Sequence, residues 1–168
     1  MPNAARVAVL WNPSNRSKVV EWKDTEDGAK ALGLTLHSVE ARTSNDLEPA
    51  LASVLQVKPD ALIVFAESLT IAFRQRIGNF ALANRLPFVS ALREFAEMGG
   101  LATYGVSRPD MWRHSAKYID KIVRGSKPAD LPVEQPTRFE LVINLKVAKE
   151  IGLKIAPTML TRADDVIE

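Results

Sequence analysis

Three short stretches carry side chains that could hold a small charged molecule: Asn12, Ser14 and Asn15, then Glu67, Ser68 and Thr70, then Ser90. Each closely follows or ends an apolar run, and between them they offer carboxamides, hydroxyls and one carboxylate. Neutral donors and free helix-end amides suit a ligand carboxylate, and Glu67 suits an ammonium, so the set matches a small zwitterion. Taken singly, Ser14, Asn15, Ser68 and Thr70 are explained better as helix caps. The binding reading therefore depends on the fold bringing them to one rim.

The elements that would do so can be read from periodicity. Arg6–Trp11 is a continuous apolar run, the pattern of a strand buried on both faces of a parallel sheet. Asn12 to Asn15 ends it and caps a helix from about 16 to 32, with Val19, Val20, Trp22, Ala29 and Leu32 facing inward and Lys18 among the outward residues. Gly33 stops that helix. Residues 34–39 alternate as a strand nearer a sheet edge would, and Ser44-Asn45-Asp46 caps a second helix through Leu55. Residues 61–65 form a third strand, 69–84 a third helix and 87–89 a fourth strand. Four strand–helix alternations with short loops predict an α/β fold with a doubly wound parallel sheet. Ligands of such sheets meet the loops beyond the C-terminal ends of the strands, where all seven candidate residues lie.

Other chemistries lack their signatures. Neither Gly-x-Gly-x-x-Gly nor Gly-x-x-x-x-Gly-Lys-Ser/Thr occurs, so no nucleotide cofactor is expected. His37 and His114 have no ligand-like spacing, no Gly-x-Ser-x-Gly elbow is present, and no nucleophile–base pair suggests an enzyme. The absence of cysteine removes thiol catalysis and zinc-thiolate sites. Twenty-two Lys and Arg are scattered among 20 acids, for a formal charge of +2, which leaves no basic stripe for nucleic acid. No window reaches the ~20 apolar residues of a membrane span, and Met1 to Ala5 lacks the features of a signal peptide. Trp22 and Trp112 fall on apolar helical faces and are assigned to the core.

The stretch from Arg93 to Asn144 is built differently. It holds a short strand at 101–105, an amphipathic helix from about 109 to 124, and the segment 127–136 with three prolines, which spans distance rather than packing. An apolar strand then begins at Phe139. Together with Arg6–Pro13, Arg93-Glu94-Phe95, Gly99-Gly100-Leu101 and Tyr104-Gly105, the run from Lys127 to Lys146 resembles the C-terminal half of an ABC-transporter solute-binding protein. The family is the uncharacterised-transport-system type, in which some members bind aromatic amino acids, with the type I periplasmic binding fold.

The resemblance implies two α/β lobes that close by a hinge over a ligand. It makes 1–92 the second-lobe domain, 93–135 a strand-plus-helix excursion toward the first lobe, and 136–168 a return to the second. It also implies a small-molecule ligand such as an amino acid, an ABC permease as partner of a full receptor, and a periplasmic or cell-surface location. Asn12 and Pro13 match the family's loop after the first strand of the second lobe, and Glu67 stands where Asp is common. Ser68 replaces a usual Pro, and Ser90-Ala91-Leu92 departs from the usual aromatic or glycine-containing strand end, which leaves the ligand open among small polar metabolites. A chain lacking the first lobe is expected to expose an unpaired strand edge and an apolar helix face within 93–135, and to cover them by forming a homodimer. Solute binding and self-association are thus the two functions to separate.

Overall fold

The computed structural model describes residues 5–168, so the N-terminal reading that concerned Met1 to Ala4 lies outside the described residues. Strands β1 (Arg6–Trp11), β2 (Thr35–Glu40), β3 (Ala61–Val64), β4 (Phe88–Ser90) and β5 (Ala102–Val106) are parallel neighbours in the order β2-β1-β3-β4-β5. Strands β6 (Phe139–Asn144) and β7 (Asp165–Ile167) complete one seven-stranded sheet beyond β5. Side chains alternate across it as the pleat requires. Ala8, Leu10, Leu62, Val64 and Phe88 pack with Leu47, Leu51 and Val54 of α2 (Leu47–Val57), Ile77 and Ala81 of α4 (Arg74–Ala83), and Phe95 of α5 (Arg93–Glu97). Full burial of such side chains contributes roughly 1.5–3 kcal/mol each, so this layer is the main source of stability.

The other face carries a thinner layer. Val9, Trp11 and Phe65 pack with Trp22 of α1 (Arg16–Ala31), whose indole stacks on Trp11 with centroids 5.1 Å apart and planes 7° apart. Trp11 donates its indole N–H to Ser38 Oγ at 2.8 Å. The expected inner face of α1 is only partly used: Ala29 is buried, while Val19, Val20 and Leu32 are exposed. Lys18 was expected to point outward. Its side chain is instead 14% exposed, bonded to Glu21 at 2.5 Å and positioned over the Phe65 ring.

Helix ends follow the residues that can satisfy them. Asn15 caps α1 and Gly33, at φ +68°, follows its end. The single helix expected over 69–84 is interrupted at Phe73, giving α3 (Ser68–Ala72) and α4. The sequence reading also left out α5, α7 (Leu145–Glu150), α8 (Pro157–Leu160) and β7, short elements that tertiary packing stabilises.

The expectation of an unpaired strand in the excursion is corrected. β5 pairs with β4 through Val89–Ala102 and Ser90–Thr103, and with β6 through five antiparallel positions from Ala102–Ile143 to Val106–Phe139. What leaves the sheet is α6 (Arg108–Val123) with the return through 124–138. None of the residues of α6 is buried, and Trp112, assigned to the core from its helical position, is 68% exposed. The helix is held to its own return segment by Tyr118, which donates to the Pro132 carbonyl at 2.7 Å, and by an Arg138–Asp110 ion pair at 3.1 Å.

Gly105 sets how closely β5 approaches the loop after β4, because a Cβ there would lie 1.9 Å from the Ala91 carbonyl oxygen. Backbone cannot yield as a flexible side chain does. Gly105→Ala should therefore cost about 2 kcal/mol, read as a lower urea midpoint with unchanged slope. Wild-type stability in that variant would show that β5 can shift freely.

Candidate functional site

Because β1 to β5 are parallel, the loops that follow β1, β3, β4 and β5 emerge along one edge of the sheet. The seven predicted residues lie along that edge, after β1 and β3 and at the end of β4, and several of their polar atoms are already committed. Asn12 Oδ1 accepts from the Ser14 N–H at 2.9 Å, closing the turn after β1. Asn15 Oδ1 accepts from the Ser17 N–H at 3.2 Å and from the Ser17 hydroxyl at 2.8 Å, as a helix cap. Ser14 is exposed.

Glu67 behaves as the N-cap of α3. Its Oε1 accepts from the N–H groups of Leu69 at 2.9 Å and Thr70 at 3.2 Å, and Thr70 Oγ1 accepts from the Glu67 N–H at 3.0 Å. Thr70 is buried and donates to the Phe65 carbonyl at 2.7 Å, so its hydroxyl ties the loop to the end of β3. Ser90 is buried too, and donates to the Val64 carbonyl at 2.7 Å. These two hydroxyls hold the strand ends, while Asn12, Ser14, Glu67 and Ser68 retain accessible surface on the rim.

Charge concentrates farther along the same edge, where the sequence reading had marked no site. Arg93 opens α5 and bonds three carboxylates: Glu97 at 3.2 Å, Glu140 of β6 at 2.8 Å, and Asp165 of β7. The hydrogen bond to Asp165 chiefly pushes the Arg93 pKa up, and the same bond, followed by the Val166 N–H, holds the Asp165 carboxyl below its ordinary value. Arg108, at the start of α6, bonds Glu94 at 2.6 Å. Arg93, Glu94, Glu97, Arg108 and Glu140 line a cavity of about 390 Å³, with Trp112 also on its wall and Thr103 and Gly105 on its sheet side. A second cavity, of about 430 Å³, lies between α6 and residues 134–138 and is lined by His114, Tyr118 and Glu134 among others. Neither opens on Asn12, Glu67 or Ser90.

The sequence matches the family described as ABC transporter substrate binding protein over residues 1–167. The chain belongs to this family. Its fold matches the ABC domain from Streptococcus pneumonia solved in complex with L-Trp, with a TM-score of 0.89 at 25% identity, over 99% of this chain and 56% of that one. A conserved domain protein from Vibrio cholerae matches with a TM-score of 0.89 at 23% identity, over 99% and 56% of the two chains. The ligand-free, open structure of a substrate-binding protein with adhesive properties from Clostridium difficile matches with a TM-score of 0.74 at 21% identity, over 99% and 55%. At their identities the last two show the fold alone. The chain spans little more than half the length of these structures, and no curated protein matches its sequence.

As a substrate-binding family member, the chain presents one α/β lobe of the periplasmic binding architecture, with α6 and its return standing off the sheet. Arg93-Glu94 directly after the fourth strand was a usable signal for the charged cavity, because that loop belongs to the edge where ligands meet such sheets. Glu140 and Asp165 had no comparable local signal, since strand pairing across the sheet brings them to Arg93.

The Arg93–Asp165 pair makes stability depend on pH. A carboxyl depressed by folding contributes stability that is complete above its unfolded pKa and is lost as pH falls through the lower folded value. The side chains are 40% and 42% exposed, so solvent screening keeps the contribution small. Asp165→Asn should lower the urea midpoint at neutral pH, and the gap from wild type should close as pH is taken below about 4. A gap that is constant with pH would deny Asp165 this titrating role.

Proposed function

We propose that this chain supplies one wall of the ligand cleft of an ABC importer's solute receptor, working at the periplasmic or cell-surface side, and that its solute is a small polar metabolite such as an amino acid. The single observation that supports this most is the family match across nearly the whole chain, joined to the likeness with a relative solved with L-Trp. In this reading Asn12, Ser14 and Ser68 face the solute's carboxylate, with the N-terminal amides of α1 and α3 behind them. Glu67, whose Oε1 is engaged by the α3 cap, offers Oε2 to an ammonium. Asn15, Thr70 and Ser90 shape that wall by holding its turn and strand ends. The role is binding rather than catalysis, and the partner of the complete receptor is an ABC permease.

Amide chemical-shift mapping with a panel of amino acids and small acids tests the reading. Amino acids at millimolar concentration should move the signals of residues 12–15 and 67–70, with weak affinity because a single lobe buries only part of a ligand. Glu67→Ala should weaken amino acids more than the matching acids that lack an ammonium. No rim perturbation by any compound would remove the wall from solute binding.

A second reading, self-association, is favoured by the apolar surface of α6, where Trp112, Ile119 and Val123 are each more than 60% exposed. Soluble monomers seldom leave such a face uncovered. In that case a second copy covers it, giving a two-fold dimer. Light scattering at micromolar protein should then give twice the chain mass, and Ile119→Glu should return it to a single mass. A single-chain mass throughout would end this reading.

A further inference from the structure

We propose that α6 of one copy of this chain seats on a bare stretch of sheet in a second copy, over Val89, Tyr104 and Phe139, and that the second copy's α6 does the same in return. The inference rests on the self-association reading and names the surface that covers α6. Strand pairing puts Val9, Ile63, Val89 and Ala102 in one row across the sheet, on the face that carries α1. Tyr104 lies two residues beyond Ala102 on the same face, and the Val106–Phe139 pair brings Phe139 beside it, stacked at 5.6 Å. At the α1 end of this face Val9, Trp11 and Phe65 are buried, with Trp22 packed on them. Toward β4, β5 and β6 that cover stops among the described residues: Val89 is 37% exposed, Phe139 48% and Tyr104 64%. The opposite face is covered over β1, β3 and β4 by α2, α4 and α5.

The sheet thus lacks a helix where α6 lacks a sheet. Trp112, Ile119 and Val123 fall on one side of α6 and are each more than 60% exposed, while Met111, His114 and Tyr118 turn to the return segment. That stripe runs about 16 Å along the helix at about 1.5 Å per residue. β5, five residues long, matches it with a span of about 17 Å. Charge chooses between the surfaces that a second copy offers. Residues 108–127 carry six of the 22 Lys and Arg but two of the 20 acids, and the whole chain is only +2, so the rest of it is net acidic. Packing α6 on α6 sets two basic helices together, whereas packing it on the other copy's sheet sets each against the acidic remainder. Tyr118 on the Pro132 carbonyl and Arg138 on Asp110 tie α6 to its return, and a two-fold exchange makes each contact twice.

The chain has no cysteine, so single introduced thiols report the contact directly. Light scattering at micromolar protein comes first and should give twice the chain mass. Ile119→Cys and Tyr104→Cys chains are then mixed in equal amounts and oxidised, with Gln75→Cys, exposed on α4 across the sheet, as background. The mixed disulfide between Ile119→Cys and Tyr104→Cys chains should form several times faster than either self-disulfide. Tyr104→Lys should raise the dimer dissociation constant about tenfold by setting a cation against the basic helix, and Tyr104→Phe should leave it unchanged. A dimer that cross-links through pairs of Ile119→Cys chains instead, or that is unaffected by Tyr104→Lys, would overturn the seat and leave self-association standing. A single-chain mass throughout, with no disulfide above background, would overturn both.

Discussion

The antiparallel ladder between β5 and β6 is the constraint on which the rest of this structure depends. The first five strands run one way and β6 runs back, so the chain must reverse direction between Val106 and Phe139. Antiparallel neighbours can be joined by a two-residue turn. Here the connection is α6, an irregular stretch and a proline-rich return, which stand off the sheet before the strand re-enters in register. Arg93 reinforces that re-entry by joining α5 to β6 and β7 through Glu140 and Asp165. The charged cavity exists because α5, β5, β6 and the start of α6 are drawn together beside this guanidinium.

Polar groups at the working edge of the sheet divide into those that hold the frame and those that remain accessible. Thr70 and Ser90 spend their hydroxyls on the carbonyls of Phe65 and Val64, where each net hydrogen bond contributes about 1 kcal/mol and also prevents a costly orphan acceptor. Asn12 and Asn15 shape the turn that feeds α1. Such commitments fix the positions from which Ser14, Ser68 and the free edge of Glu67 project. In the solute-binding role we propose, this support would matter, because a contact group that is free to move loses affinity to its own ordering.

The two faces of the sheet are covered unequally. The α2, α4 and α5 side holds the larger core, and Gly78 allows α4 to approach the Met98 carbonyl so closely that a Cβ would overlap it at 1.5 Å. On the opposite side the aromatic group of Trp11, Trp22 and Phe65 covers only the β1 and β3 end, and Tyr104 and Phe139 stack on each other, at 5.6 Å, while still largely exposed. Apolar surface is thus left on the arm and beside the point where the arm departs. Both belong to the part of the chain that its family relatives share, since the match covers 99% of its length.

The sequence by itself determined the first four strands, the helices α1 and α2, the parallel α/β class and the edge on which Asn12, Glu67 and Ser90 gather. Those features are written in local periodicity, in caps such as Asn15 and in stops such as Gly33, which act within a few residues. It also marked 93–144 as a departure through its prolines, and carried the family resemblance. Tertiary structure alone decided that β5 is paired on both sides, that Trp112 is exposed while Lys18 is tucked over Phe65, and that Arg93 meets Glu140 and Asp165. An amphipathic pattern says that a face is apolar but not whether anything packs on it, and side-chain bonds that span 47 and 72 residues leave no trace in local spacing.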